Sequence, residues 1–181
     1  SCYLYKFIYD KILFKIYDEK YITIKKLNEI GITSEDIDDF IEKIEKTIPE
    51  NEYFNLYTLK ADFKNKLLEN KFPECFYENL IMILPKVKSF SLKNNTLFIK
   101  TNDSATREKF INSFIKTSKI YIRDIKNEIY EKYNIEIEDY YIRQFINKKK
   151  FYLDSSTDCV YESREKYEEE INQWDILKYI D

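Results

Sequence analysis

One pattern occurs three times along this chain of 181 residues. Tyr21-Ile22-Thr23-Ile24-Lys25-Lys26-Leu27 aligns with Tyr53-Phe54-Asn55-Leu56-Tyr57-Thr58-Leu59 and, more loosely, with Lys119-Ile120-Tyr121-Ile122-Arg123-Asp124-Ile125. Each copy opens on a short extended piece of alternating character, then passes into a helical pattern, a break and a second helical pattern. The second and third copies end in a hairpin-like stretch. Strands this short need partners and helices this amphipathic need a core, so a recurring unit of this kind builds small α+β domains. The expected fold class is α+β, mostly helical.

Ahead of the first copy, residues 4–17 place Leu4, Phe7, Ile8, Lys11, Ile12 and Lys15 at helical intervals, which predicts a helix. A strand over 21–24 and a helix over 25–30 follow, with Gly31 supplying a permissive backbone after it. Ser34 reads as the N-cap of the next helix, whose inner face is Ile37, Phe40, Ile41 and Ile44, and Pro49 closes it. In the second copy, Leu59, Phe63, Leu67 and Leu68 form one inner face. Pro73 then opens a helix burying Phe76, Leu80, Ile81 and Leu84. Runs 87–92 and 96–101 flank Lys93-Asn94-Asn95 as a hairpin. Asn102-Asp103-Ser104 reads as the boundary and as the cap of a helix with Phe110, Ile111, Phe114 and Ile115 inside. The third copy predicts a strand over 120–122, a helix through Tyr133, a helix over 138–147 and a hairpin of 151–153 with 159–161. A closing helix carries Tyr167, Ile171, Trp174, Leu177 and Tyr179.

Composition excludes much of catalysis. There is no histidine, which removes Ser-His and Cys-His nucleophiles and histidine metal ligation together. With Gly31 as the single glycine, neither a P-loop nor a dinucleotide fingerprint can be written, and an EF-hand loop lacks its glycine. Cys2, Cys75 and Cys159 have no CxxC spacing, so inert thiols in a reducing cytoplasm are expected, with no metal site and no cofactor. No apolar run reaches bilayer length, so no membrane association is expected. The seventeen tyrosines and thirteen phenylalanines are residues that AT-rich codons supply, so core packing is their expected use before base stacking.

Strand, helix, turn, helix and hairpin in this order resemble a tandem of winged helix-turn-helix units with short β-hairpin wings. An abbreviated unit over 1–50 and a winged helix over 52–101 would form an N-terminal region of 1–101. Residues 102–181 would form a C-terminal winged helix with its closing helix. Glu52-Tyr53-Phe54-Asn55-Leu56-Tyr57-Thr58-Leu59 and Phe72-Pro73-Glu74-Cys75-Phe76-Tyr77-Glu78-Asn79-Leu80 are similar to segments of poorly characterised helix-turn-helix-containing proteins of low-GC bacteria. The stretch from Tyr152-Leu153-Asp154 through Val160-Tyr161 to Lys166-Tyr167-Glu168-Glu169 fits the same comparison. The resemblance implies a piece of a larger bacterial protein and carries no settled activity.

A winged helix that reads DNA uses Lys and Arg against phosphates and polar side chains against base edges. Lys86, Lys88, Lys93 and Lys100 surround the first hairpin with no acidic residue between them. Arg143, Lys148, Lys149 and Lys150 would add phosphate contacts in the last unit, where Gln144 and Asn147 could approach bases. Against these stand the acidic helix with Glu35, Asp36, Asp38, Asp39, Glu42 and Glu45, a formal net charge of -3 and the acidic closing helix. Two partner classes therefore follow: double-stranded DNA, and a protein partner or second copy anchored by Tyr77, Tyr140, Tyr141 and Trp174. The expected function is a non-catalytic DNA-associated regulatory module, with an interaction or oligomerisation scaffold as the alternative.

Overall fold

The structure is a computed structural model and describes residues 10–17, 19–62 and 65–177. The chain is α+β, with small antiparallel sheets, and divides into two compact units, Ser1–Ala105 and Thr106–Asp181.

The first unit begins with a hairpin of β1 (Leu13–Tyr17) and β2 (Lys20–Thr23), paired Leu13 to Thr23 and Phe14 to Ile22. The helix expected over 4–17 is therefore a strand from Leu13 onward, and residues 4–9 lie outside the described residues. A short, mostly apolar run such as Ile12-Leu13-Phe14-Lys15-Ile16-Tyr17 satisfies a strand as well as a helix, and the partner strand decides between them. Lys11 takes a left-handed backbone (φ 57°), and the Ile24 amide donates to the Ile12 carbonyl at 3.1 Å. Phe14 packs its ring 5.7 Å from that of Phe76.

Helix α1 (Ile24–Glu29) follows, capped by Thr23, whose hydroxyl accepts from the Lys26 amide. Its end is a Schellman motif: the Ile32 amide donates to the Leu27 carbonyl and the Gly31 amide to the Asn28 carbonyl, each at 3.0 Å. Gly31 sits at φ 82°, where a side chain is strained, and the two buried residues Ile32 and Leu27 form the accompanying apolar contact.

Helix α2 (Ser34–Thr47) starts one residue earlier than Ser34 as a cap would allow. Thr33 is the N-cap, in a reciprocal capping box with Asp36. Asp36 Oδ2 accepts from the Thr33 amide at 2.8 Å and from Lys66 Nζ at 2.9 Å, and Lys66 also donates to the Gly31 carbonyl. The Lys66 ammonium first, and the Thr33 amide second, hold the Asp36 carboxyl below the usual aspartate range. A depressed folded-state pKa adds stability above the ordinary aspartate value and loses it as pH falls through the folded one. We therefore expect acid unfolding of the first unit to be less steep in Asp36→Asn than in wild type below about pH 4, measured by circular dichroism at stepped pH.

Strand β3 (Tyr53–Phe54) leads into α3 (Leu56–Asp62), where Asn55 Oδ1 accepts from the Thr58 amide at 3.0 Å. Where one helix through Leu68 is expected, a second short helix, α4 (Lys66–Glu69), begins instead, with Asn65 as its N-cap. Asn65 is buried, and its amide donates to Asp39 at 2.9 Å, an anchor a continuous helix could not offer. Phe63, expected on the inner face, lies outside the described residues. Helix α5 (Glu74–Ile81) buries Phe76, Tyr77, Leu80 and Ile81, with Pro73 at the N-cap position. Strands β4 (Val87–Leu92) and β5 (Asn95–Lys100) close the unit, and β3 pairs with β5 to give the order β3-β5-β4. At the hairpin tip Lys93, not an asparagine, takes the left-handed conformation (φ 53°).

The second unit runs α6 (Arg107–Asn112), β6 (Lys119–Tyr121), α7 (Ile122–Tyr133), α8 (Asp139–Phe145), β7 (Tyr152–Asp154), β8 (Cys159–Tyr161) and α9 (Arg164–Leu177). Its sheet order, β6-β8-β7, repeats the connectivity of the first unit. The cap of α6 is Thr106, whose hydroxyl accepts from the Lys109 amide, and not the 102–104 segment. Asn134 ends α7 in a left-handed conformation (φ 54°), a position where asparagine is tolerated better than most residues. Ile122, Ile125, Ile129, Ile142 and Val160 make the core.

The three aligned phrases share one local structure. Tyr21, Tyr53 and Ile120 each lie in the strand immediately before a helix. They differ in pairing: β2 joins its own hairpin partner β1, whereas β3 and β6 each join the hairpin that follows the helices.

Candidate nucleic-acid interface

The basic candidates of the first unit do not gather on one face. Lys88 is paired with Ile99 and Lys100 with Val87, so neighbouring register positions point Lys88 and Lys100 to opposite sides of the hairpin. Lys88 Nζ donates to the Asn102 and Asp103 carbonyls at 2.8 and 2.6 Å, and Lys100 Nζ to the Glu45 carbonyl at 3.2 Å. Carbonyl acceptors orient an ammonium without cancelling its charge. Lys86, at φ 64° in the connector between α5 and β4, pairs with Glu50 at 3.3 Å across solvent. Lys93 is exposed at the tip. A run of lysines close in sequence is thus spread along both faces of one hairpin, because side chains alternate along a strand.

Helix α5 presents little to a groove. Its apolar side is used by the first unit's own core, Tyr77 included, whose hydroxyl donates to the Leu67 carbonyl at 2.9 Å. Glu74 is exposed and Glu78 half-buried.

In the second unit the candidates divide into three groups. Asn147 turns inward: its side-chain amide donates to Glu108 at 2.8 Å and its backbone amide to Asn112 Oδ1 at 3.1 Å. Arg143, on α8, is half-buried and pairs through Nη2 with Asp158 Oδ2 at the end of the β7–β8 turn. Gln144 is exposed, one helical turn from Tyr140, which is 64% exposed. Lys148, Lys149 and Lys150 form an exposed turn between α8 and β7. That turn is built by Asn147, whose carbonyl accepts from the Lys150 and Phe151 amides at 2.9 and 2.8 Å and whose Oδ1 accepts from the Lys149 amide at 3.1 Å. Lys150 lies 5.0 Å from the centroid of the buried Phe151 ring, a cation–π contact.

The two hairpins differ in charge. In the β7–β8 turn Asp154 accepts from the Ser156 hydroxyl at 2.7 Å, the Thr157 hydroxyl at 2.7 Å and the Ser156 amide at 3.0 Å. These bonds, the Ser156 hydroxyl foremost, hold its carboxyl below the usual range and keep the turn negative at neutral pH. With Asp158 beside it, the second hairpin is acidic where the first is basic.

Of the aromatic anchors, Tyr140 is exposed, Tyr77 is buried, and Tyr141 is half-buried with its ring 5.0 Å from Phe145. The Trp174 side chain lies outside the described residues. Tyr121 and Tyr130 are exposed and were not singled out by sequence; Arg123 stacks 5.1 Å over Tyr121. Asp158 was also missed. A lone aspartate ending a turn signals nothing by itself, and its partner is fifteen residues away.

A further opening, about 170 Å³ between β6, β8 and α9, is lined by Lys119, Tyr161, Glu169 and Glu170. Lys119 and Glu170 close on each other there at 2.7 Å, and the Glu170 carboxylate raises the Lys119 pKa. Among the described residues no three Asp, Glu or Cys side chains gather as metal ligands would, and no helix is long and apolar enough to cross a membrane. No family model, curated protein or solved structure matches this chain.

Proposed function

We propose that the chain is a non-catalytic, nucleic-acid-associated module of a larger bacterial protein, built from tandem winged-helix units that hold a duplex by its phosphates. The observation that carries this reading is the recurrence of exposed basic residues at one topological position. Lys86 stands between α5 and β4, and Lys148, Lys149 and Lys150 stand between α8 and β7. In a winged helix that connector leads from the groove-facing helix to the strands that run beside the backbone. The shared orders β3-β5-β4 and β6-β8-β7 support units of this kind. Lys88 and Lys100 stand on opposite faces of the first hairpin, so at most one of them joins the same surface. The start of α8, with Glu138 and Asp139, repels phosphate, so this reading assigns the contacts to the connector and Gln144 rather than to the helix start.

Such binding weakens with salt as counterions are released. Titration of a duplex oligonucleotide at low and moderate salt is expected to give a slope that shrinks by about 3 when Lys148, Lys149 and Lys150 are all changed to Glu. Equal and negligible binding by both proteins would reject the reading.

A second reading, a protein-docking scaffold, is favoured by Tyr140, which stands out beside the acidic Glu136 and Glu138. Amphipathic rings of this kind serve as interface anchors. A chain that leaves duplex DNA unshifted yet sediments as a dimer, dispersed by Tyr140→Ala, would favour this second reading over the first.

A further inference from the structure

We propose that Asp158 is an internal competitor for phosphate: it occupies the Arg143 guanidinium and keeps the affinity of the second unit for nucleic acid low until a polyanion displaces it. The inference rests on the nucleic-acid reading above and assigns a regulator to the same site.

Asp158 is built into its place from three directions. It sits at φ 56°, a left-handed conformation that aspartate and asparagine tolerate. Its carbonyl accepts from the Ile122 amide at 2.9 Å, tying the β7–β8 turn to the start of α7. Its carboxylate reaches across to Arg143 on α8. One residue thus links the turn, α7 and the helix that carries Arg143.

The ion pair itself is only half made. A guanidinium fork and a carboxylate match best through two parallel bonds. Here Nη2 meets Oδ2, while Arg143 Nε and Asp158 Oδ1 are both shielded from solvent and without a hydrogen-bond partner. An unmet buried donor and an unmet buried acceptor both carry a desolvation cost that a fully formed pair would recover. The side chains as wholes are 39% and 36% exposed, so an incoming anion can reach the guanidinium without unfolding the unit. A phosphate offers acceptor oxygens suited to the same fork, and a duplex offers many of them in a row. The Lys148–Lys150 turn, three residues beyond the end of α8, supplies further positive charge on the same connector.

The test uses the 181-residue chain and a fluorescent duplex at low salt, with five proteins compared by anisotropy. Asp158→Asn preserves the left-handed backbone and removes the competitor. It is expected to bind about threefold to tenfold tighter, with a salt slope steeper by about 1. Arg143→Gln alone is expected to bind more weakly than wild type, because it removes a phosphate contact and leaves the Asp158 charge unpaired, and Arg143→Gln combined with Asp158→Asn is expected to lose the gain. Glu165→Gln, which removes the same charge from α9, is expected to change binding less than Asp158→Asn. Should the asparagine variant fold poorly by circular dichroism, Asp158→Gly, which tolerates the same φ, replaces it. A gain no larger than that of Glu165→Gln, or one that survives loss of Arg143, overturns the inference even where wild type binds through its lysines. Absence of binding by all five proteins, the competitor-free variant included, overturns this inference and the nucleic-acid reading together.

Discussion

Phe76→Ala is expected to lower the unfolding free energy of the first unit by about 3–5 kcal/mol. The Phe76 ring is fully buried on α5 and lies 4.4 Å from Phe72, 5.4 Å from Tyr77 and 5.7 Å from Phe14. These neighbours come from β1, from α5 and from the segment just before α5, so no single element can move in to fill the space. Removing the ring forfeits its transfer free energy and leaves a cavity whose walls are held apart by three different parts of the chain. Small domains are stable by only about 5–15 kcal/mol, so the variant would sit close to its unfolding midpoint. Urea titration followed by circular dichroism measures the effect. Phe76→Leu, which keeps most of the volume, should lose less than half as much. A loss below about 1 kcal/mol for alanine would mean that β1 does not pack on α5, and the strand assignment of 13–17 would fall with it.

In the second unit, Phe110→Ala is expected to cost a similar amount, about 3–5 kcal/mol, and to remove whatever binding that unit performs. Phe110 is fully buried, with Phe114 and Tyr133 edge-on at 5.2 and 5.4 Å. The α6 residues around it also hold the connector. Asn112 accepts from the Asn147 amide and donates to the Phe145 carbonyl at 2.9 Å, while Glu108 accepts from the Asn147 side chain. Loosening α6 therefore releases the very residue that shapes the Lys148–Lys150 turn. Tyr140→Ala, on the exposed side of α8, should by contrast stay within about 0.5 kcal/mol of wild type in the same urea titration. Equal losses at Phe110 and Tyr140 would show that the burial pattern of α8 is wrong.

Much of the local architecture was legible in the residues. Gly31 announced the end of α1 because a Schellman turn needs a left-handed residue there. The β-branched and aromatic pairs before each helix announced the three strand-to-helix junctions. The apolar spacing of Ile122, Ile125 and Ile129 marked the buried face of α7. Where reading failed, the deciding factor was a specific side-chain partner, near in sequence at one site and distant at another. Thr33 rather than Ser34 caps α2 because Asp36 answers it, a two-way match that single-residue cap preference overlooks. Leu67 is buried as expected, but on a separate helix, because the Asn65 side chain both caps α4 and bonds to Asp39.

The candidate site was less legible than the fold. Four lysines near one another in sequence suggested a patch, yet cross-strand register sends Lys88 and Lys100 to opposite faces. Asn147, read as a base-edge donor, is spent on α6, and Arg143 is held by Asp158. Charge and hydrogen-bonding capacity are visible in residue names, but direction is not.

Residue identity and spacing alone marked most of the helical and extended stretches, the left-handed end of α1 at Gly31, and which familiar catalytic groups are missing. These depend on backbone sterics and local hydrogen bonds, which act within a few residues. Tertiary structure alone decided that residues 13–17 form a strand, that β3 and β6 join the hairpins that follow them, and that Arg143 meets an aspartate rather than solvent. Those outcomes depend on partners brought together only when the core closes, since an apolar run or a charged side chain is equally satisfied by several arrangements until a specific neighbour arrives.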